Sequence, residues 1–188
     1  NVGASNTEPT LRKTLAIGAD KAIRIDSEPI DGFFVAKQIA DYVSSNPYDL
    51  IIAGRESIDY NGGMVPGLIA GLTKTNFITN CTNIEIENNS ATVEREIDGG
   101  KEILTCDLPL IIGGQKGLVE ESDLRIPNMR GIMQARQKPL EVIACSSSDS
   151  KTKSIKFHKP TPREEVKLVS PDNLDQLIDM LHNEAKVL

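Results

Sequence analysis

A glycine-rich stretch, Gly54 to Gly67 (GRESIDYNGGMVPG), constrains the fold of this chain more than any other feature. It follows a short apolar run, Asp49 to Ala53, and precedes an apolar helical pattern that begins at Leu68. In α/β proteins a buried strand, a glycine-rich loop and a helix, in this order, present backbone amides to a phosphate. Glycine-rich turns of this kind also occur for purely geometric reasons, so the loop alone gives only the hypothesis of a nucleotide site.

The residues before this loop alternate between helical and strand patterns. The sequence predicts a helix from Glu8 to Gly18, a strand from Lys21 to Ile25, a helix from Asp31 to Ser44 and a strand from Tyr48 to Ala53. The expected buried stripe of the second helix is Phe34, Val35, Ile39, Tyr42 and Val43. Alternation at these lengths indicates right-handed crossovers and a parallel sheet, in which ligands bind beyond the carboxyl ends of the strands.

The residues after the loop read mainly as β-structure. Two antiparallel strands, Ala91 to Ile97 and Glu102 to Cys106, are joined across Asp98-Gly99-Gly100, which is a strong hairpin signal. A long strand from Phe77 to Ile86 precedes them, and Leu108 to Ile112 follows. Pro109 favours an edge position or a strand start for that last segment. A helix from Pro127 to Ala135 and a short strand from Glu141 to Ala144 complete this part.

We expect two parts in the chain. Residues 1–145 form a nucleotide-binding α/β domain whose first strands are missing, since Asn1-Val2-Gly3 reads as the end of a strand. Residues 146–188 form an arm rich in Ser, Lys and Pro, followed by an amphipathic helix from Ser170. Such an arm commonly packs on a partner subunit, and packing on its own domain is the alternative.

Composition excludes several classes of function. A formal charge of −6 and few aromatic residues argue against nucleic-acid binding. Three widely spaced cysteines and two histidines predict no metal site, and they fit a reducing cytoplasm. No apolar run approaches the length of a membrane span, so no direct membrane insertion is expected.

The sequence also lacks the motifs of common catalysts. It contains no H-E-x-x-H, G-x-S-x-G, C-x-x-C or Walker loop. Glu94, Glu96 and Asp98 share one face of the hairpin at strand spacing, which is typical of a solvated surface. The chain therefore reads as a binding protein, with no catalytic residue to assign.

The segment from Val93 to Ile112, VEREIDGGKEILTCDLPLII, resembles the signature of electron transfer flavoprotein β subunits. The matching positions are Val93, Arg95, Asp98, Gly99, Gly100, Glu102, Leu104, Pro109, Ile111 and Ile112. Gly113 departs from the pattern, because Thr, Ala, Cys or Ser is usual there. Three other segments are similar to this family: Arg12 to Ile25, Asp49 to Asp59 and Arg125 to Ile143.

The resemblance implies a Rossmann-like, adenine nucleotide α-hydrolase-like sheet flanked by helices, with the hairpin and an extended C-terminal arm. It also implies an electron carrier subunit that performs no bond-making chemistry. Its partner is an α subunit that holds most of the redox FAD site. The β subunit itself holds AMP in ordinary carriers and a second FAD in electron-bifurcating relatives that use NADH. The ordinary carriers take electrons from flavoprotein dehydrogenases to a quinone reductase.

The family's AMP-contacting loop falls on one continuous run of this sequence. The resemblance assigns cofactor binding to Gly54, Arg55, Glu56, Ser57, Ile58, Asp59, Tyr60, Asn61, Gly62, Gly63, Met64 and Val65. Asp59 and the amides from Asn61 to Val65 would carry the adenylate and phosphate contacts. Gly62 to Val65 lack the polar side chains of both the AMP and the FAD pattern, although glycine amides still wrap an anion. AMP and FAD therefore both stay open.

The resemblance also assigns a partner-binding segment, in which Ile126 is the aliphatic anchor for a pocket on the dehydrogenases. The segment comprises Ile126, Pro127, Asn128 and Met129, and a single buried aliphatic side chain ringed by charges suits such a contact. Two other classes remain as alternatives: an ATP-hydrolysing or adenylating enzyme on the same architecture, and a nucleotide sensor without redox partners.

Overall fold

A computed structural model of the chain describes residues 1–58, 60–147, 149–163 and 165–187. The chain divides into two compact units, Asn1–Lys153 and Ser154–Leu188. The division between residues 145 and 146, and the packing of the arm on a partner subunit, stay predictions.

The first unit alternates helices and strands up to about residue 75 and is then mostly β-structure. Short 3₁₀ turns span Ser5–Thr7 and Glu121–Asp123. In chain order the helices and strands are α1 (Glu8–Ile17), β1 (Ala22–Asp26), α2 (Gly32–Ser45), β2 (Leu50–Gly54), α3 (Val65–Thr73), β3 (Asn76–Glu87), β4 (Ser90–Ile97), β5 (Gly100–Asp107), β6 (Leu110–Gly114), α4 (Met129–Ala135) and β7 (Leu140–Ala144).

The strands form two hydrogen-bonded groups. β1 pairs with β7 in parallel, and the other five strands follow the order β2-β6-β3-β4-β5. In the larger group β2, β6 and β3 run parallel, whereas β3 with β4 and β4 with β5 are antiparallel. The predicted α/β fold, with a parallel sheet and an antiparallel hairpin, is confirmed.

Local sequence explains where the helices begin and end. Pro9 occupies the first turn of α1, where its missing amide costs no hydrogen bond, and Gly18 ends the helix at φ 136°. The Asp31 carboxylate accepts a hydrogen bond of 2.7 Å from the Phe34 amide, which caps α2. These boundaries agree with the predicted ones to within about a residue or two, the usual uncertainty of helix ends.

The hairpin also follows its prediction. Ile97 pairs with Gly100, so that Asp98 and Gly99 form the loop, and Gly99 takes φ 85°. Only glycine adopts such a conformation without a steric cost, which explains the Asp-Gly sequence at this place.

The structure decides one open alternative and corrects one strand prediction. Of the edge position and the strand start that Pro109 favoured, it has the strand start, since β6 lies between β2 and β3 and its residues Leu110, Ile111 and Ile112 are fully buried. Pro109 precedes the strand, so its lack of an amide does not break the ladder. β2, expected to be buried, pairs only with β6 in the described part of the sheet, and Ile52 is 61% exposed.

The predicted buried stripe of α2 is correct only in part. Phe34 is buried, whereas Val35, Ile39 and Tyr42 are partly buried and pack around it. The most enclosed positions include Ala36, Ala40 and the polar Gln38. Gln38 exchanges two hydrogen bonds with the backbone of Ser146, of 2.9 and 2.7 Å, which explains why an amide side chain is buried here.

The described part of the second unit contains one short helix, α5 (Leu174–Asp179), which continues as a π-helical turn, Met180–Glu184. The predicted helix start at Ser170 is therefore four residues early. Large apolar side chains earlier in this unit are exposed, namely Ile155, Phe157, Val166 and Leu168. In the described parts of both units, no helix has the length and apolarity needed to cross a membrane.

Candidate functional site

The glycine-rich loop leaves the sheet at the carboxyl end of β2. Gly54, the last residue of β2, is in register with Gly114, the last residue of β6. The Arg55 amide then donates a 3.1 Å hydrogen bond to the Gly114 carbonyl, which fixes the direction in which the loop departs. The loop therefore lies where α/β sheets bind ligands, as the sequence predicted.

The loop closes on itself near its middle. The Ser57 amide donates to the Gly62 carbonyl at 2.9 Å, and these two residues form an antiparallel bridge. Asn61 takes φ 51°, a left-handed conformation that Asn adopts more readily than most residues. Asp59, which was expected to contact an adenylate, lies outside the described residues.

The two central glycines have different surroundings. A Cβ atom added to Gly63 would lie 3.1 Å from the Arg55 carbonyl oxygen, so glycine allows the two arms of the loop to approach closely. A Cβ atom added to Gly62 would meet no heavy atom within 4 Å. Among the described residues, the space next to Gly62 is therefore open.

The loop ends at the start of α3. The first amides of a helix have no acceptor within the helix, and the helix dipole makes this end attractive to an anion. Pro66 removes one of these donors, which leaves the amides of Val65 and Gly67 in the first turn. Met64 packs against the first residue of α2, because its Sδ atom lies 2.9 Å from where a Cβ of Gly32 would be.

The side chains of the loop carry little chemistry of their own. Arg55 forms a 2.7 Å salt bridge with Glu56, and Ile58, Tyr60 and Met64 are exposed. The described residues hold no cluster of His, Cys, Asp or Glu that suits a metal ion. The described part of the loop can hold an anion through backbone amides, and it offers no acid–base pair.

Three titratable groups elsewhere in this unit, Cys81, Cys106 and Glu94, have shifted pKa values. Burial raises the pKa of the Cys81 and Cys106 thiols, which keeps them protonated and unreactive. In the hairpin, hydrogen bonds from Lys101 and Thr82 lower the pKa of Glu94, at distances of 2.7 and 3.1 Å. The direction of each shift is unsuited to proton transfer at neutral pH.

The predicted partner-binding segment lies at the start of α4. Asn128 caps this helix, because its side-chain oxygen accepts a 2.8 Å hydrogen bond from the Gly131 amide. Ile126 and Met129 on either side are 84% and 76% exposed. Two of the four predicted residues thus present apolar side chains to solvent, Asn128 shapes the backbone, and Pro127 borders a groove beside α1.

Sequence reasoning missed the residues that mount α4 on α1. A Cβ atom added to Gly131 would lie 2.5 Å from the Ala16 carbonyl oxygen, so the two helices cross in close contact. Arg12 of α1 donates to two carbonyl oxygens at the end of α4, those of Ala135 and Lys138. One signal in the sequence could have indicated this contact: Arg12 and Lys138 lie in two of the segments that resemble the same family.

Comparison with known proteins places these features in one family. The model of the electron transfer flavoprotein domain matches residues 1–148. A Bacillus subtilis protein named electron transfer flavoprotein subunit beta is 33% identical over 201 aligned residues, covering all of this chain and 77% of the relative. Mitochondrial proteins of the same name from Oryza sativa subsp. indica and Arabidopsis thaliana are 32% and 33% identical, each over all of this chain and 76% of the relative.

Proposed function

The chain belongs to the electron transfer flavoprotein family as a β-type subunit, and from this premise we propose that it binds an adenine nucleotide and docks redox partners within a heterodimer. Its role is that of an electron carrier subunit. Such a subunit has to bind and position its cofactor and its partners, because the redox chemistry itself belongs to the flavin.

The partner in the heterodimer is an α subunit that holds most of the redox FAD. FAD, when bound, supplies one- and two-electron redox chemistry, and the residues of this chain bind, orient and dock. The C-terminal unit suits a wrapping arm, since its exposed apolar side chains, such as Ile155 and Leu168, would be covered by a partner surface.

The nucleotide site lies in the loop from Gly54 to Val65. The observation that carries this proposal is the position of the loop, at the carboxyl end of β2 and before the first turn of α3. The amides of Gly63, Met64 and Val65 would face the phosphate, and the open space beside Gly62 would admit it. AMP and a second FAD both contain an adenylate that this backbone cradle fits.

The choice between AMP and FAD distinguishes two versions of the function. An ordinary carrier with AMP passes electrons from flavoprotein dehydrogenases to a quinone reductase. A bifurcating version holds the second FAD and uses NADH. Gly62 to Val65 carry neither pattern of polar side chains, so the loop favours neither version. A cytoplasmic location belongs to the same proposal.

Co-expression of the full-length protein with its α subunit tests the proposed function. We expect a yellow heterodimer that accepts electrons from a flavoprotein dehydrogenase. Mass spectrometry of the nucleotides released on denaturation identifies AMP or a second FAD. A colourless, monomeric product from both full-length chains would contradict the proposal, and nucleotide turnover by the purified protein would favour an ATP-hydrolysing enzyme.

The docking of dehydrogenases is proposed for Ile126 to Met129. Replacing Ile126 by Asp places a charge where an apolar anchor would be buried in the partner, which typically costs about 2 kcal/mol or more at a hot spot. We expect slower electron transfer from the dehydrogenase with an unchanged α–β pair. The matched control is Val119→Asp, which also charges an exposed apolar site. Equal transfer rates in the wild-type protein and in the Ile126→Asp variant would show that Ile126 is not the anchor.

A further inference from the structure

A groove lies between α1 and α4, beside the close crossing at Gly131. Its volume is about 630 Å³, and its lining includes the apolar residues Pro9, Ala16, Pro127 and Ile132 and the cations Lys13 and Arg136. Pro127 belongs to the proposed docking segment, so the groove continues the surface formed by the exposed Ile126 and Met129.

The charge around this groove is not neutralised within the described part of the chain. Among the described residues, neither Lys13 nor Arg136 forms a salt bridge, although the whole chain has a net charge of −6. Arg12, which also lines the groove, donates at 2.8 Å to the uncharged carbonyls of Ala135 and Lys138. The groove therefore combines two kinds of lining. We call Pro9, Ala16, Pro127 and Ile132 its apolar floor, and the cations Arg12, Lys13 and Arg136 its rim.

An apolar floor with a positive rim fits one kind of protein segment. A partner side chain without charge can be buried on Pro127 and Ile132, while carboxylates on either side of it face the cations. A nucleic-acid duplex presents mainly phosphates on its outside, so it would leave the floor uncovered and would be repelled by the acidic remainder of the chain. The mixture of surface types therefore points to an acidic, amphipathic peptide segment.

We propose that this groove binds an acidic segment of a redox partner protein, with carboxylates beside Lys13 and Arg136 and an apolar side chain on the floor. The inference rests on the proposed function, since that function supplies the partner. Docking is then two-sided: Ile126 inserts into the partner, and the partner inserts into the groove. The rim charges set how fast the partner associates, and the floor sets how long it stays bound.

A fluorescent peptide of glutamate and leucine is the direct probe, used with the full-length protein at low ionic strength. Two comparison peptides replace its glutamates by lysine or its leucines by serine. We expect saturable binding of the glutamate–leucine peptide by fluorescence anisotropy and much weaker binding of both comparison peptides. Equal binding of the three peptides, or binding of none, would overturn the proposal.

Variants locate the binding at the groove. Lys13→Glu/Arg136→Glu reverses two rim charges and should raise the dissociation constant of the peptide at least about tenfold. Ala16→Phe fills the floor and should weaken binding without a charge change. The matched control, Lys74→Glu/Lys116→Glu, makes the same change in net charge at two exposed lysines outside the groove. Equal weakening by the control would overturn the proposal.

Two further outcomes distinguish peptide binding in the groove from self-association and from docking through Ile126 alone. Self-association of the wild-type protein that Ala16→Phe abolishes would show that a second copy fills the groove, which would overturn the proposal. If no peptide binds while Ile126→Asp still slows electron transfer, the groove proposal fails and the proposed function stands. Competition of the peptide with electron transfer from a dehydrogenase would support both.

Discussion

Arg12, in α1, hydrogen-bonds to the carboxyl end of α4, and Lys138, just after α4, hydrogen-bonds to the carboxyl end of α1. Arg12 Nη1 donates to the Lys138 carbonyl oxygen at 2.8 Å, at the end of the α4 segment. Lys138 Nζ donates to the carbonyl oxygens of Leu15 and Ala19, at 3.1 and 2.7 Å, at the end of α1. Cations are favourable at the carboxyl ends of helices, so each side chain stabilises the other helix. The helix that begins in the proposed docking segment is thereby attached to α1 at its carboxyl end.

This reciprocal capping predicts a loss of stability in Arg12→Met. Methionine keeps most of the apolar stem but leaves the Ala135 and Lys138 carbonyls without their charged donor, which should cost about 1–3 kcal/mol of the free energy of unfolding. Urea unfolding measures this change. The cost of Arg12→Met and Lys138→Met together should differ from the sum of the single costs, because the two residues share one contact. Strict additivity would contradict reciprocal capping.

The close crossing of α1 and α4 predicts opposite effects of two glycine substitutions. Gly131→Ala places a methyl group 2.5 Å from the Ala16 carbonyl oxygen, so the helices must separate, at a cost of about 1–3 kcal/mol. Gly71→Ala, within α3, meets no heavy atom within 4 Å and should stabilise the protein by about 0.4–1 kcal/mol. Urea unfolding of both variants compares them. Equal stabilities of the two variants would rule out the tight crossing.

The ionised carboxylate of Asp31 should account for part of the loss of stability of the first unit in acid. Burial by itself would raise the pKa of this carboxyl group, but hydrogen bonds from the amides of Phe34, Thr152 and Lys151 outweigh burial and lower it. A lowered folded pKa means that the stabilisation is present above the ordinary value of 3.8 and is lost as the pH falls below it. We therefore expect Asp31→Asn to destabilise the protein at neutral pH and much less in acid.

Unfolding of Asp31→Asn and of the wild-type protein should be compared at neutral pH and near pH 3, a value chosen to lie below the ordinary aspartate pKa. Asp175→Asn is a suitable control, since this carboxylate is exposed in α5 and changes the same charge. An equal loss of stability at both pH values would show that Asp31 does not act through its ionised form.

Local patterns predicted the elements well, and pairing between distant segments was not visible in the sequence. The hairpin was predictable because Asp98-Gly99 supplies the turn and the flanking residues alternate. β2 and β6 have similar apolar runs, so the sequence did not distinguish the edge strand from the interior one. The contact of Arg12 with Lys138 joins residues 126 positions apart, and no local pattern encodes it.

The position of the proposed nucleotide loop in the fold was predictable to the same extent. The order of strand, glycine loop and helix placed Gly54 to Val65 at the carboxyl end of β2, and the structure has it there. The difference between Gly62 and Gly63 was not predictable, because it depends on where the Arg55 carbonyl lies in space. The groove between α1 and α4 requires two segments that are far apart in the chain.

The proposed nucleotide site is best tested by the nucleotide content of the purified α–β heterodimer, with wild-type Gly62 and with Gly62→Asp and Gly62→Asn. We expect the wild-type heterodimer to release AMP or a second FAD in addition to the FAD of the α subunit. Asp adds a negative charge in the open space proposed for the phosphate, so Gly62→Asp should lower this content at least about tenfold. Gly62→Asn, of the same size without the charge, should retain far more. A wild-type heterodimer that releases the α-subunit FAD alone would contradict a nucleotide site in this loop.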